Sequence, residues 1–278
     1  MNLRLLRMGL KTLLGIQKQG FFIPYRYADS LPPSRTRMIY PALFKLMQGC
    51  EDSFEHFLSD IQAQKENFEK FGKTPAPTPR WQQDWFPRLD GAAAYTLVRT
   101  KKPAHIIEIG SGHSTRFMVQ AIKDGDLATK FTAIDPAPRA DISKLPVTIH
   151  NDIVQNVDPA LFGQLAAGDI LFIDSSHIAM PGTDVDYLFL NILPLLPAGI
   201  YVHIHDIFLP HDYPQNWEWR GYNEQQIVAP LLSGGYKILF SSQYISRHMT
   251  SQIKLAGLDH IPLQPGAYET SLWLEKTS

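Results

Sequence analysis

His105-Ile-Ile-Glu-Ile-Gly-Ser-Gly-His-Ser-Thr-Arg116 is the stretch whose reading decides the fold. Ile106, Ile107 and Ile109 make a short β-branched apolar run that reads as a buried strand. It stops at Gly110-Ser111-Gly112, and a segment of helical pattern follows. The order is strand, glycine turn, helix start. Gly110 suits backbone angles that other residues avoid, Gly112 lets a ligand approach the main chain, and Ser114 or Thr115 is placed to cap the helix. The open N–H groups of such a helix start favour an anionic or polar ligand. Glu108 is the costly residue, an acid inside an apolar strand, and it requires a partner.

Working outward, the text alternates between strands and helices. Lys130 to Asp135, Val147 to His150, Asp169 to Asp174, Ile200 to Ile204, Tyr236 to Ser241 and Tyr268 to Leu274 read as strands. Helical patterns fall near Ser114 to Lys123, Asp184 to Leu195 and Tyr222 to Leu232, and Asp90 is expected to cap a helix from Gly91 to Thr100. Such alternation predicts an α/β fold with a doubly wound, mostly parallel sheet, whose ligands bind at the carboxyl ends of the strands.

Upstream, helical periodicity from Ile39 to Phe71 gives way to Lys73-Thr-Pro-Ala-Pro-Thr-Pro-Arg80, which divides the chain into an N-terminal helical cap or oligomerisation segment, 1–80, and a main domain, 81–278. Phe21 to Pro33 is aromatic and proline-rich, and is expected to pack its aromatics. Met1 to Gly20 carries Leu3, Leu6, Leu10, Leu13 and Leu14 at helical spacing, with Arg4, Arg7, Lys11 and Lys18 between them. The first expectation is a helix packed on the body or on a second subunit, giving a homodimer contact. The second is an amphipathic helix on an anionic membrane surface, or a transit peptide. A secretory signal does not fit, because no uninterrupted apolar core precedes a small-residue cleavage site.

The 278 residues carry a formal net charge of −1, which gives no global reason to expect a nucleic-acid partner. No apolar run is long enough to span a bilayer. The single cysteine, Cys50, excludes an internal disulfide and fits a reducing, cytoplasmic compartment.

Acids end several strands. Asp135 falls 25 residues after Gly110, about the spacing at which an acid reaches ribose hydroxyls in nucleoside-binding sheets. A dinucleotide fingerprint wants a third small residue where this chain has Thr115, and an acid before the glycine pair faces a cationic ligand group, which a pyrophosphate is not. His203 and His205 alternate along one strand and so share a face, opposite to Asp206; a metallo-hydrolase signature fails at Ile207 and Phe208, which leaves His203 in the core.

Ile107-Glu-Ile-Gly-Ser-Gly-His-Ser-Thr115, with Phe172-Ile-Asp-Ser-Ser-His177 and His205-Asp-Ile-Phe-Leu-Pro210, resembles the class I S-adenosylmethionine-dependent methyltransferases, in particular a bacterial subgroup related to macrocin O-methyltransferase and cephalosporin-hydroxylase-like enzymes. The resemblance covers about Trp81 to Ser242. It implies a seven-stranded Rossmann-like sheet and O-methylation of a small-molecule or sugar acceptor. Glu108, Gly110, Ser111, Gly112, Ser114 and Thr115 would hold the amino-acid end of S-adenosylmethionine, Asp135 the ribose and Asp152 the adenine side, with Asp174 and Ser175 at the reactive edge. Asp174, His177, His205 and Asp206 would surround the acceptor. In metal-dependent relatives, acids at these strand ends hold magnesium, which makes Asp174, His205 and Asp206 the candidate ligands of a divalent metal; a histidine at 205 departs from that pattern, since it is a softer ligand than oxygen. His177 reads equally as a proton acceptor and as a shield for the cofactor. The loop His211-Asp-Tyr-Pro214 and Trp217-Glu-Trp219-Arg220 reads as an acceptor contact or as a packed surface loop. Two rival readings are a nucleotide-dependent oxidoreductase or metal-dependent hydroxylase-like protein on a similar sheet, and a non-catalytic interaction module.

Overall fold

The β-branched and aromatic runs pair into one sheet: β1 His105–Ile109, β2 Lys130–Ile134, β3 Thr148–His150, β4 Ile170–Ile173, β5 Tyr201–Ile204, β6 Tyr236–Ser241 and β7 Leu272–Lys276. The computed structural model describes residues 3–31, 39–138 and 142–278. Strand order is β3-β2-β1-β4-β5-β7-β6. The first five strands are parallel, and β7 enters antiparallel between β5 and β6. The mostly parallel, seven-stranded sheet is therefore as expected. All four residues of β4 are buried, which is why that strand reads as a continuous apolar run instead of an alternating one. From β1 the chain steps to β2 on one side and later to β4 on the other, so a crevice opens above the carboxyl ends of β1 and β4.

Six helices matter most: α1 Leu3–Leu13, α2 Pro41–Gln48, α3 Glu51–Gln62, α4 Lys65–Phe68, α5 Arg88–Lys101 and α6 His113–Asp124. Helices α2 to α4 bury Met47, Phe54, Phe57, Leu58, Ile61 and Phe68 in the same core as the sheet. The Phe57 ring lies 5.0 Å from that of Phe240 on β6. After the proline-rich stretch, the buried Trp81 donates its indole N–H to the Phe68 carbonyl at 3.2 Å and packs on Phe71 and Phe117. The prolines break the helical periodicity while the packing runs on across them.

Several local expectations are corrected. Helix α1 buries no residue, and Phe21, Phe22, Ile23, Tyr25 and Tyr27 are exposed, so neither the helix nor the aromatic segment packs on the body. Pro32 and Pro33 lie outside the described residues. The helix expected over 184–195 runs as α-helix only through Asp184–Tyr187, then widens over Leu188–Ile192 and tightens over Leu193–Leu195, where Pro194 cannot supply an N–H. The one expected over 222–232 shortens to Gln225–Val228, followed by a tighter turn containing Pro230.

Asp90 does not cap α5. The helix starts two residues earlier, and its start is held by Glu269, which accepts from the Leu89 N–H at 2.8 Å and pairs with both Arg88 nitrogens at 2.9 and 2.8 Å. Asp90, fully buried in the first turn, accepts instead from the Thr270 and Ser271 N–H groups at 3.1 and 2.9 Å and from the Ser242 hydroxyl. These contacts occupy residues 269–271, which is why β7 begins at Leu272 and not at Tyr268. Asp90→Ala strands the buried Thr270 N–H and leaves the Ser271 N–H only the Ser242 hydroxyl oxygen, and should lower unfolding stability by about 2 kcal/mol, with Asp90→Asn costing less. Denaturant titration of the two variants checks this; an unchanged midpoint for the alanine variant would remove Asp90 as the joint between α5 and β7.

Candidate active site

The turn after β1 exists because two strand ends come unusually close. Gly110 has φ +77°, and a Cβ on it would stand 2.1 Å from the Asp174 carbonyl oxygen. No other residue fits there. Beneath the turn lies Glu108, fully buried, accepting from the Ser114 and Thr115 hydroxyls at 2.6 and 2.5 Å. The Thr115 oxygen in turn accepts from the Gly112 N–H at 2.9 Å. The partner that Glu108 requires is thus the first turn of α6. It lies under the cleft and does not line it. Of the two expected caps, Thr115 acts as one, while Ser114 turns its hydroxyl to Glu108. Burial pushes the Glu108 pKa up to about 8 against the pull of those two hydroxyls.

Asp135, just beyond β2, is a strut as well as a turn residue. One oxygen accepts from the Ser111 N–H and hydroxyl, both at 2.8 Å, and the other from the Ala137 N–H at 2.8 Å. It also borders the cleft.

Asp174 and Asp206, at the tips of β4 and β5, meet His177 and His205. His177 Nε2 lies 3.4 Å from Asp174 and 3.3 Å from Asp206, and His205 Nδ1 lies 3.5 Å from each. The far nitrogen of each ring faces a further buried acid, Glu224 at 2.8 Å from His177 and Asp90 at 3.4 Å from His205. Burial alone would lower both imidazoles. The Asp206 charge with Asp174 and Glu224 outweighs it for His177, the Asp174 and Asp206 charges with Asp90 outweigh it for His205, and both are raised well above the usual value. Burial alone would raise Asp174, yet His205 and His177 hold it well below the carboxylate range. His177 and Asp206 both take left-handed backbone angles, φ +61° and +56°. Such strain is uncommon outside functional sites. It also corrects the expected geometry: β5 ends at Ile204, and the turn at Asp206 swings its carboxylate to the side of His205 instead of the opposite face. His203 behaves as expected, stacked on Phe172 at 3.7 Å in the core and, through burial first and the His205 charge second, held well below its ordinary pKa.

These groups open into a cleft of about 760 Å³, lined by Gly110 to Ser114, Asp135, Ile153, Val154, Asp174 to His177, His205 and Asp206 on one side and by Trp85, Trp217, Arg220, Tyr222 and Tyr268 on the other. Gly110, Ser111, Gly112, Ser114, Asp135, Asp174, Ser175, His177, His205 and Asp206 are brought together here. Thr115 stays buried below with Glu108, and Asp152 is exposed outside, accepting from the Ile153 N–H and Asn156, so that its neighbours Ile153 and Val154 reach the cleft in its place. Four buried polar atoms of cleft-lining residues, His113 Nδ1, Gln155 Oε1, Ser175 Oγ and Arg220 Nε, have no hydrogen-bond partner among the described residues. Burial, then Arg116 and Arg80, depress His113 to a pKa of about 4, leaving a neutral ring.

Sequence reading missed Glu224, Asp90 and His113 as parts of this site. His113 was in plain view within the glycine motif; Glu224 stands 47 residues from its histidine, and no spacing rule connects them. Trp219, quoted with Trp217 as a flanking aromatic, is exposed and lies outside the cleft.

The donor chemistry does not fit the magnesium expected at Asp174, His205 and Asp206. Each carboxylate faces the ring nitrogens of two imidazoles at 3.3 to 3.5 Å, and imidazole is a softer ligand than the oxygens that magnesium prefers. Among the described residues no group of three or more His, Cys, Asp or Glu is arranged to hold a metal ion.

A doubly wound sheet with a glycine turn at its switch point and acids on successive strand tips is the class of fold that binds a nucleoside-type cofactor. Residues 107–207 match the family model described as a methyltransferase domain. That match lends no support to the oxidoreductase reading. No curated protein matches the chain in sequence. Solved structures similar to it include the S-adenosylhomocysteine-bound methyltransferase of Podospora anserina (14% identity, 93% of this chain and 100% of that one, TM-score 0.44). Two others are the O-methyltransferase TomG of Streptomyces achromogenes with S-adenosylmethionine (16%, 80% and 90%, 0.45) and CmcI with Mg and S-adenosylmethionine (13%, 76% and 84%, 0.42). Among the described residues, no helix is long and apolar enough to cross a membrane.

Glu108 makes the glycine turn sensitive to pH. Below its ordinary 4.5 both folded and unfolded chains hold the proton; between 4.5 and about 8 only the folded chain does, so stability falls as pH rises, by at most about 1.4 kcal/mol per unit. Glu108→Gln should flatten this slope. Denaturant midpoints measured across that interval check it, and parallel wild-type and variant curves would contradict the buried, protonated glutamate.

Proposed function

We propose that the cleft transfers a methyl group from S-adenosylmethionine to a hydroxyl oxygen of a small-molecule or sugar acceptor. The observation that carries this is the junction, in one cleft, of the glycine turn with a carboxylate–imidazole cluster and an aromatic wall. In this reading Gly110, Ser111, Gly112 and Ser114 hold the amino-acid end of the cofactor, with Glu108 and Thr115 bracing them from below. Asp135 takes the ribose, Asp152 acts through the adjoining Ile153 and Val154 on the adenine side, and Asp174 and Ser175 border the reacting end. The unpartnered Ser175 Oγ and His113 Nδ1 support the fit of a polar ligand there. When bound, the cofactor supplies an electrophilic methyl group on a cationic sulfur.

The chain's own task is positioning and proton removal. Asp174 and Asp206 orient the acceptor hydroxyl, His177 in its neutral form takes the proton at Nε2, and Glu224, bonded to the opposite ring nitrogen, fixes the ring. His205, held by Asp90, keeps the two acids ionised. No step is routed through a metal. The acceptor lies on Trp217, Tyr222 and Tyr268, rings that suit a sugar or aromatic face. Residues 81–278 form the catalytic domain and 1–80 its flank, and the single cysteine, Cys50, supports a cytoplasmic setting.

Incubation with labelled S-adenosylmethionine and a panel of phenolic and glycosidic hydroxyl compounds tests the reaction; label arriving only on nitrogen or carbon acceptors would overturn the oxygen assignment. Asp135→Ala should weaken S-adenosylmethionine binding by roughly tenfold or more in calorimetry while leaving the protein folded. Unchanged affinity would remove the ribose role.

The His177 imidazole, followed by NMR, should lose its proton above its ordinary 6.5, and Glu224→Gln should move that transition to lower pH because it removes a facing negative charge. An upward or absent shift would show that Glu224 does not hold the ring.

A further inference from the structure

Residues 3–27 present a surface that no other described part of the chain covers. On α1, Leu3, Leu6, Leu10 and Leu13 recur at intervals of three and four, so they form one stripe along the helix. All four are exposed, Leu3 by 78% and Leu13 by 62%. The stripe does not stop with the helix. Leu14 and Ile16 follow, then Phe21, Phe22 and Ile23, all exposed, with Phe22 at 68%. Single exposed apolar residues are ordinary on a protein surface, but a continuous set of this kind marks a contact face.

Charge says what the face meets. Arg4, Arg7, Lys11, Lys18 and Arg26 precede the first acid, Asp29. Five cations against an overall formal charge of −1 leave the rest of the chain at a formal −6. Arg7 and Lys11 sit one turn apart on the flank of the leucine stripe, and Lys18 lies 4.8 Å above the Phe21 ring. Long cationic side chains beside leucines and aromatics are the arrangement that lets apolar groups enter a lipid layer while the charges stay at headgroup level. A second copy docking through the same face would bring like charges together with no acid in the segment to offset them.

We propose that residues 3–27 bind an anionic phospholipid surface, with the leucine stripe and Phe21 to Ile23 among the acyl chains and Arg7, Lys11 and Lys18 at the phosphates. This inference stands apart from the reading of the cleft.

The test is co-sedimentation of the full chain with phosphatidylcholine vesicles and with vesicles of mixed phosphatidylcholine and phosphatidylglycerol, alongside light scattering without lipid. The expected result is pelleting with the mixed vesicles only, reversed by high salt. A double variant, Arg7→Glu with Lys11→Glu, should bind at least about tenfold more weakly, as should Leu6→Glu with Leu10→Glu. Neither variant should change the melting temperature, because α1 buries nothing. No pelleting, or equal pelleting on neutral vesicles, overturns the proposal. So does a dimer that Leu6→Glu with Leu10→Glu splits while vesicles capture nothing, since the face then belongs to a second copy.

Discussion

The close approach of Gly110 to the Asp174 carbonyl is the constraint on which the site depends. Around it the main chain is fully bonded: the Gly110 N–H donates to Ile134 at 2.9 Å and the Asp174 N–H to Ile109 at 2.9 Å. The ends of β1, β2 and β4 are thereby locked at one level, with no side chain between β1 and β4. The crevice that the strand order predicts becomes a cleft floored by main chain, and the residues that follow β1, β2 and β4, among them Ser111, Asp135, Asp174 and Ser175, supply polar side chains to it. Glu108 carries the same constraint downward, because its carboxylate ties the first turn of α6 to the middle of β1.

Above that floor the electrostatics are arranged in two parallel chains, Glu224–His177 and Asp90–His205, each ending on the shared pair Asp174 and Asp206. Four acids face two imidazoles, so even with both rings protonated and every acid ionised the cluster keeps excess negative charge. On the proposed reading that negative charge would favour a cationic group beside Asp174, and a cation there would weaken the hold on the imidazole protons. Asp90 serves both fold and site, since its other bonds fasten α5 to β7.

Most of the sheet was legible in the sequence because β-branched runs between glycine and proline breaks leave little choice. Local pattern failed where a distant residue took over a local role. Asp90 has the chemistry of a cap, yet Glu269 from the far end of the chain occupies that function. An acid inside an apolar strand needs a partner, and for Glu108 that partner is a pair of hydroxyls in place of a ligand. The placement of Asp206 required a left-handed backbone, which strand alternation does not foresee. On α1 the leucine periodicity is that of a helix; whether anything covers an amphipathic face is a property of the surroundings, which periodicity does not encode.

The matched stretch, 107–207, contains every residue assigned to the methyl donor and both strand-tip acids. The opposite wall comes from outside it: Trp85 from before α5, Trp217 to Tyr222 from the loop after β5, and Tyr268 from the approach to β7. Arg220 is stacked there 4.1 Å from the Trp217 ring and donates to the Tyr222 hydroxyl at 3.1 Å, while its Nε–H has no hydrogen-bond partner among the described residues. Tyr222 in turn lies 4.7 Å from the His177 ring. A guanidinium with a spare donor, set one ring away from His177, gives this wall of the cleft a positive end as well as an aromatic face. On the proposed reading, the residues that hold the donor and the aromatic wall that meets the acceptor would come from different parts of the chain, so a change in the wall need not disturb the turn at Gly110.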